Sequence, residues 1–253
     1  MPDIVTPGRV RFALALALVL LLEALCRFGV ISRFAMIPPS EILWHLGQIL
    51  IGGTMGPAIA KTLTNVAIAC VSAIVAGVVL GALIHRWRGL RETLDPLFAA
   101  YYAIPVYAFY PLFIVIFGLG DVPQILIGFM LGLVAVIVNT LNGLDRVPRV
   151  MTKTARILRL SPARAVWSVT LPSAAPYLFT GLKLALAYSF IGVIAGEFIL
   201  SGGGLGFSIA YAYNDFDSQT MYALMMFVLV IAVVMNGALH VWEQHMLKKR
   251  ARA

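Results

Sequence analysis

Six stretches of this chain are apolar for long enough to cross a lipid bilayer, and that limits the fold more than any other feature. A spanning helix needs about 20 predominantly apolar residues. Residues 11–31, 62–84, 97–117, 123–143, 174–199 and 220–243 meet that length. The stretch 62–84 carries no charge; 11–31 is interrupted by Glu23 and Arg27, and 174–199 holds Lys183 and Glu197. Hydrocarbon offers no partner to backbone N–H and C=O groups, so segments of this length must satisfy them internally, as helices. The expected fold is an all-α integral membrane protein: one transmembrane domain, residues 1–253, with six transmembrane helices. Composition agrees, with 61% hydrophobic and 12% charged residues, where a soluble domain has about 25% charged.

The net charge of +8 would suggest nucleic acid in a soluble protein, but here it follows the topology. With the N-terminus inside, the inner segments hold Arg9 and Arg11, then Arg86, Arg88 and Arg91, then Arg146, Arg149, Lys153, Arg156, Arg159 and Arg164, and finally Lys248, Lys249, Arg250 and Arg252. The outer segments hold only Arg27, Arg33 and Lys61. Cytoplasmic loops carry the Lys/Arg excess, so both termini are expected in the cytoplasm, and no nucleic-acid partner is implied. Arg9 and Arg11 before an apolar run resemble a signal peptide, but no A-x-A site follows, and "LEALC" places the large Leu25 before Cys26. A first transmembrane helix is therefore expected. Cys26 and Cys70 lie in or beside apolar stretches and read as small buried residues.

Two outer loops carry local signals. In "PPSEILWHL", Ser40 is placed as an N-cap before a short interfacial helix. "SGGGLGF", residues 201–207, contains consecutive glycines but neither a P-loop nor a dinucleotide-binding pattern, and reads as a tight turn.

The loop 146–172 is the most informative segment. Arg146, Arg149, Lys153 and Arg156 recur at helical spacing, while Val147, Val150, Met151, Thr154, Ile157 and Leu158 take another side. Ser161 then caps a second helix with Pro162 at its first position, and Leu171 and Pro172 close it. Such a helix–turn–helix can lie on anionic lipid, or it can project as a rigid knob for a soluble partner; the pattern alone fits both.

Within the spans, ionisable groups are costly and tend to be functional. Glu197 is the foremost candidate for a translocation path, although a carboxylate near a span end can also snorkel. Glu23 suits a structural or peripheral role, and Lys183 suits snorkelling toward the cytoplasm. The third span is crowded with Tyr101, Tyr102, Tyr107 and Tyr110 between Pro105 and Pro111. Prolines bend a helix and free carbonyls beside a cavity, and tyrosines offer hydrogen bonds, though tyrosines near span ends also form interfacial belts. The expected path residues are Tyr102, Tyr107, Tyr110, Asn139, Tyr188 and Glu197, with Asn142 and Ser189 weaker; helix-to-helix hydrogen bonding accounts for Asn and Ser equally well. The four histidines are scattered, and His240 and His245 are five apart rather than the four of a paired helical ligand set. No catalytic or metal-ligating residue is expected. A secondary transporter would need inverted repeats or a charged relay, and neither is visible.

The segment 153–172 resembles the cytoplasmic signature of ABC importer permeases, E-A-A-x3-G-x9-I-x-L-P. Aligned on Leu171 and Pro172, the E-A-A positions are Lys153, Thr154 and Ala155, the Gly position is Arg159 and the Ile position is Val169. Lys153 and Arg159 depart from the pattern. "YAIPVYAFYPLFIVIFGLGDVPQILIGF" and "LPSAAPYLFTGLKLALAYSFIGVIAGEFILSGGGLGFSI" are similar to the third-to-fourth and fifth-span regions of the nitrate/sulfonate/taurine-type group. The resemblance covers roughly residues 38–245. It implies a non-enzymatic permease subunit in a bacterial cytoplasmic (inner) membrane. It implies a second permease copy (a homodimer), two cytoplasmic ABC ATPase subunits, and a periplasmic or lipid-anchored substrate-binding protein. ATP and Mg would sit on the ATPase, with no cofactor on this chain, which has no Walker motif. The coupling contact would comprise Lys153, Thr154, Ala155, Leu158, Arg159, Leu160, Ser161, Leu171 and Pro172. The implied substrate is a small organic anion such as a sulfonate, nitrate or an aromatic carboxylate; the neutral-to-acidic path leaves a neutral or cationic heterocycle as the alternative.

Overall fold

The computed structural model describes residues 7–33 and 35–250. Among the described residues the regular structure is entirely helical. The elements are α1 (Pro7–Arg27), α2 (Pro39–Gly52), α3 (Gly56–Arg86), α4 (Arg88–Tyr101), a 3₁₀ turn (Val106–Phe109), α5 (Tyr110–Phe117), α6 (Asp121–Asp145), α7 (Arg149–Ile157), α8 (Pro162–Ala165), a π turn (Val166–Thr170), α9 (Leu171–Leu200), α10 (Leu205–Asn214) and α11 (Ser218–Arg250).

Four of these are long and apolar enough to cross a membrane: Gly56–Arg86, Asp121–Asp145, Pro162–Ile199 and Ser218–Met246. A fifth crossing is available if α4 and the Val106–Phe117 segment count as one span, bent by 91°. The expected proline-bent third span is broken at residues 102–105. Pro105, at φ −72° and ψ 86°, leaves the helical region and opens the 3₁₀ turn, while Pro111 sits harmlessly at the start of α5. The first expected span coincides with α1, whose sequence carries Arg9, Arg11, Glu23 and Arg27, too much charge to stand with the apolar four.

The core is the trio α3, α6 and α9. Lipid supplies no hydrophobic drive for helix association, so close van der Waals packing through small residues replaces it. Each helix contributes a glycine pair spaced by four: Gly77 and Gly81, Gly128 and Gly132, Gly192 and Gly196. A Cβ added at Gly192 would lie 2.6 Å from the Gly128 Cα, and one at Gly77 would lie 2.6 Å from the Val136 Cβ. Val66, Ala69 and Val193 fill the space beside them. By contrast α11 lies at the edge: only 6% of its most apolar stretch is buried.

Polar clasps mark the two ends of the bundle. At one end Lys61 of α3 pairs with Asp121 of α6 at 3.0 Å. At the other, Asp145 of α6 receives Arg91 of α4 and lies 3.3 Å from His85 of α3. Ser40 does not cap α2 as expected: the cap residue is Pro38, with no side-chain bond. Glu23 of α1 instead accepts the Ser40 N–H at 3.0 Å and hydroxyl at 2.7 Å. A carboxylate from a neighbouring helix is a stronger acceptor than the helix's own hydroxyl. Both cysteines are free and buried.

Candidate functional site

The loop expected to form two helices does so, at the end of the bundle that carries Asp145. Pro148, extended at φ −61° and ψ 130°, starts α7 at Arg149 rather than Arg146. Proline lacks the N–H that a continuing helix needs and turns the preceding residues out of the helical region. The end of α7 is set by Arg159, which adopts φ +51°. Its N–H donates to the Arg156 carbonyl, and the Leu160 N–H donates to Ala155, both at 3.0 Å. This is the Schellman arrangement, in which the left-handed residue is usually glycine. The family signature has glycine at this position; the turn forms here with arginine, at a cost of about 1–2 kcal/mol for the side chain.

Ser161 caps α8 as expected, accepting the Arg164 N–H at 3.4 Å, with Pro162 in the first turn. Leu171 and Pro172 do not close that helix. Pro172 cannot donate to Ser168 and would clash with its carbonyl in an α-helix. The chain widens instead into the π turn, with the Leu171 N–H donating to Val166 five residues back, and continues into α9. Single π turns commonly mark functional positions in helices.

Apart from the buried Ala155, α7 is exposed. Ile157 is 80% exposed, Leu158 64% and Trp167 73%, and Lys153, Arg156, Arg159 and Ser161 surround them in the open. Thr154 donates to the Val150 carbonyl at 3.0 Å. Leu160 and Leu171 are partly buried and Pro172 is exposed. A cavity of about 300 Å³ separates α7 from the second helix, lined by Ala155, Leu160, Pro162 and Val169 among others.

The other expected site residues divide into groups. Tyr102, 56% exposed, stands at the break before the 3₁₀ turn, within electrostatic reach of Tyr188. It lines a cavity of about 200 Å³ together with Arg91, Phe98 and Asn142. Tyr107 donates to the Ile191 carbonyl at 3.1 Å, and Tyr110 is 1% exposed against Gly196. Asn139 donates to its own helix at Ala135 and packs on Gly181. Glu197 is fully buried. Its carboxylate accepts the Thr62 hydroxyl, at 2.8 Å to one oxygen and 3.0 Å to the other, and the Gly206 N–H at 3.0 Å. The Thr62 oxygen also accepts the Leu205 N–H at 2.8 Å. Glu197 therefore neither faces a lumen nor snorkels in this structure; it fills the start of α10.

That arrangement explains "SGGGLGF". The segment is the tight turn its glycines suggest, with Gly204 at φ +105° and in close contact with the Glu197 carboxylate, so a side chain there has no room. A helix N-terminus attracts anions, and here a residue of the same chain occupies it. Thr62 was not singled out from sequence, and Lys61 only as an outer-side charge; the uncharged run 62–84 hides Thr62 at its edge, 135 positions from Glu197.

Lys183 does not snorkel. It forms an ion pair with Glu243 of α11, and the same Glu243 oxygen lies 3.7 Å from His240 Nδ1. Beside the pair, Phe179 of α9 and Trp242 of α11 meet edge to face at 5.1 Å. An unpaired charge within a span costs about 2.5–3.5 kcal/mol on insertion scales.

Among the described residues the fold is an all-helical bundle with four helices long and apolar enough to cross a membrane. The chain belongs to the family of binding-protein-dependent transport system inner membrane components, whose profile matches residues 73–251. Among curated relatives it is 27% identical to the nitrate import permease protein NrtB of Synechocystis sp., over 92% of this chain and 87% of that protein. It is 27% identical to the taurine transport system permease protein TauC of Escherichia coli, over 85% and 80%. It is 35% identical to the bicarbonate transport system permease protein CmpB of Synechococcus elongatus, over 61% and 56%. These relatives are transport permease subunits of ABC importers. In fold it matches a chain of the inward-facing MetNI methionine ABC transporter, with TM-score 0.63 and 19% identity, covering 77% of this chain and 97% of that one.

Proposed function

We propose that this permease subunit uses the segment 146–172 to couple a separate cytoplasmic ATPase to the opening of a substrate path in a bacterial inner membrane. One observation carries this reading: the projecting α8 helix runs through the π turn into α9 as a single rod, Pro162–Ile199. A displacement imposed at Leu158–Ser161 then reaches the membrane without an intervening loop, which is how rigid-body switching operates. The exposed Ile157, Leu158 and Trp167 supply the apolar centre of the contact, with Lys153, Thr154, Ala155, Arg159 and Leu160 around it and Leu171 and Pro172 at its root. ATP and Mg belong to the ATPase. Six spans with both termini cytoplasmic, a homodimer, two ATPase subunits and an external binding protein complete the assembly.

The path is assigned to the broken span, where Tyr102 and Asn142 line one cavity; Tyr188, Tyr107, Tyr110, Asn139 and Glu197 lie on the helices around it. The cargo is a small anion, in keeping with the nitrate, taurine and bicarbonate named for the relatives. The test is gentle purification of the tagged protein followed by mass spectrometry with stoichiometry, for wild type and for Arg159→Glu. An ATPase at about one per permease that still hydrolyses ATP but no longer drives uptake in Arg159→Glu supports the reading. Unaltered transport in Arg159→Glu removes the docking assignment.

A further inference from the structure

We propose that the Lys183–Glu243 ion pair is a mechanical joint that makes α11 move with α9 during the transport cycle, and that these two residues therefore position α11 for coupling. The direction of the movement rests on the coupling reading above; the joint itself does not.

α11 is the most exposed of the long apolar helices. Near its start it is held by α10 and α2: Leu224 is buried against Leu205 and Ile209, and His45 of α2 lies 3.3 Å from Thr220. Its middle packs on the core through Val228, Ile231, Ala232 and Met235, and toward its other end, among the described residues, the Lys183–Glu243 pair and the Phe179–Trp242 ring contact beside it join it to α9. Lys183 and Phe179 are one helical turn apart on α9, and Trp242 and Glu243 are adjacent on α11, so the two contacts form one patch. Lys183 lies about 18 Å along α9 from Leu171, at 1.5 Å per residue. It thus stands on the same rod that carries the projecting helix. A charged pair within a span is retained only where each member needs the other. Glu243 is partly buried, and the oxygen that meets Lys183 also lies 3.7 Å from His240 Nδ1 of its own helix.

A joint of this kind differs from simple glue in what rescues it. Removing both charges, as Lys183→Met with Glu243→Gln, leaves no unpaired ion and should restore abundance, but it removes the link. Exchanging them, Lys183→Glu with Glu243→Lys, keeps the link. Spin labels at Arg164→Cys and Val241→Cys, both exposed positions, read the separation of the α8–α9 rod from α11 by pulsed EPR; the native cysteines are buried. The labelled protein is examined in nanodiscs with any co-purified ATPase, with ADP and with ATP. The expected result is a narrow distance distribution in wild type, unchanged by ATP, broadened in the double-neutral protein and narrow again in the exchanged one. In vesicles, uptake of labelled nitrate or taurine per ATP hydrolysed should fall about tenfold in the double-neutral protein and recover in the exchanged one. A double-neutral protein as narrow as wild type, or a wild-type separation that shifts with ATP, overturns the joint. Absence of any ATPase overturns the coupling reading alone, because the widths without nucleotide still decide the joint.

Discussion

The start of α10 and the start of α8 solve the same problem in opposite ways. Both are helix N-termini with unpaired N–H groups after a turn. At α10 the groups are answered by Glu197 and Thr62, from two other helices, in a site without solvent. At α8 they are answered by Ser161 of the same turn, in the open, with a long 3.4 Å bond. The first arrangement locks three helices together; the second is confined to its own turn. A buried polar network binds parts that must keep their relation, while a locally capped one frees a part to meet something outside.

Substitutions can break or sharpen that contrast. The largest effect is expected for Glu197→Ala, which leaves the Gly206 N–H and the Thr62 hydroxyl buried without their acceptor and should cost about 3 kcal/mol, read as a lowered midpoint of unfolding in detergent. Next is Gly192→Ala, where the new Cβ meets backbone of Gly128 that cannot yield. About 2 kcal/mol of destabilisation is expected, with loss of α6–α9 packing visible as faster hydrogen exchange. The smallest effect has the opposite sign: Arg159→Gly relieves the left-handed arginine and should stabilise the turn by about 1 kcal/mol. Slower exchange of the Leu160 amide would register it. If Arg159→Gly destabilises instead, the guanidinium is held by a contact that outweighs the backbone.

The contrast also explains what could be read from sequence. Ser161, Pro162 and the helical spacing of Arg149, Lys153 and Arg156 act within a few residues, so the projecting pair was legible. So were the four longest apolar helices, whose length bilayer thickness dictates. Glu197 drew attention as a charge in a span, but its partner Thr62 lies in a distant helix, and no periodicity links them. The Lys183–Glu243 pair was missed for the same reason. Leu171 and Pro172 read as a helix end because proline usually ends helices; the π turn that carries the chain past it is set by the wider helix, not by a residue code. The third span was expected to bend at its prolines, and it does; what the letters did not show is that Pro105 breaks a helix while Pro111 starts one.

The central claim is that the exposed tip at Leu158 meets an ATPase. A photoreactive amino acid placed at Leu158 in living cells, irradiated with nucleotide turnover running, tests it directly. The expected result is a covalent adduct between the residue at position 158 and a soluble Walker-motif ATPase. Adducts with lipid alone, in cells where uptake is active, would contradict it.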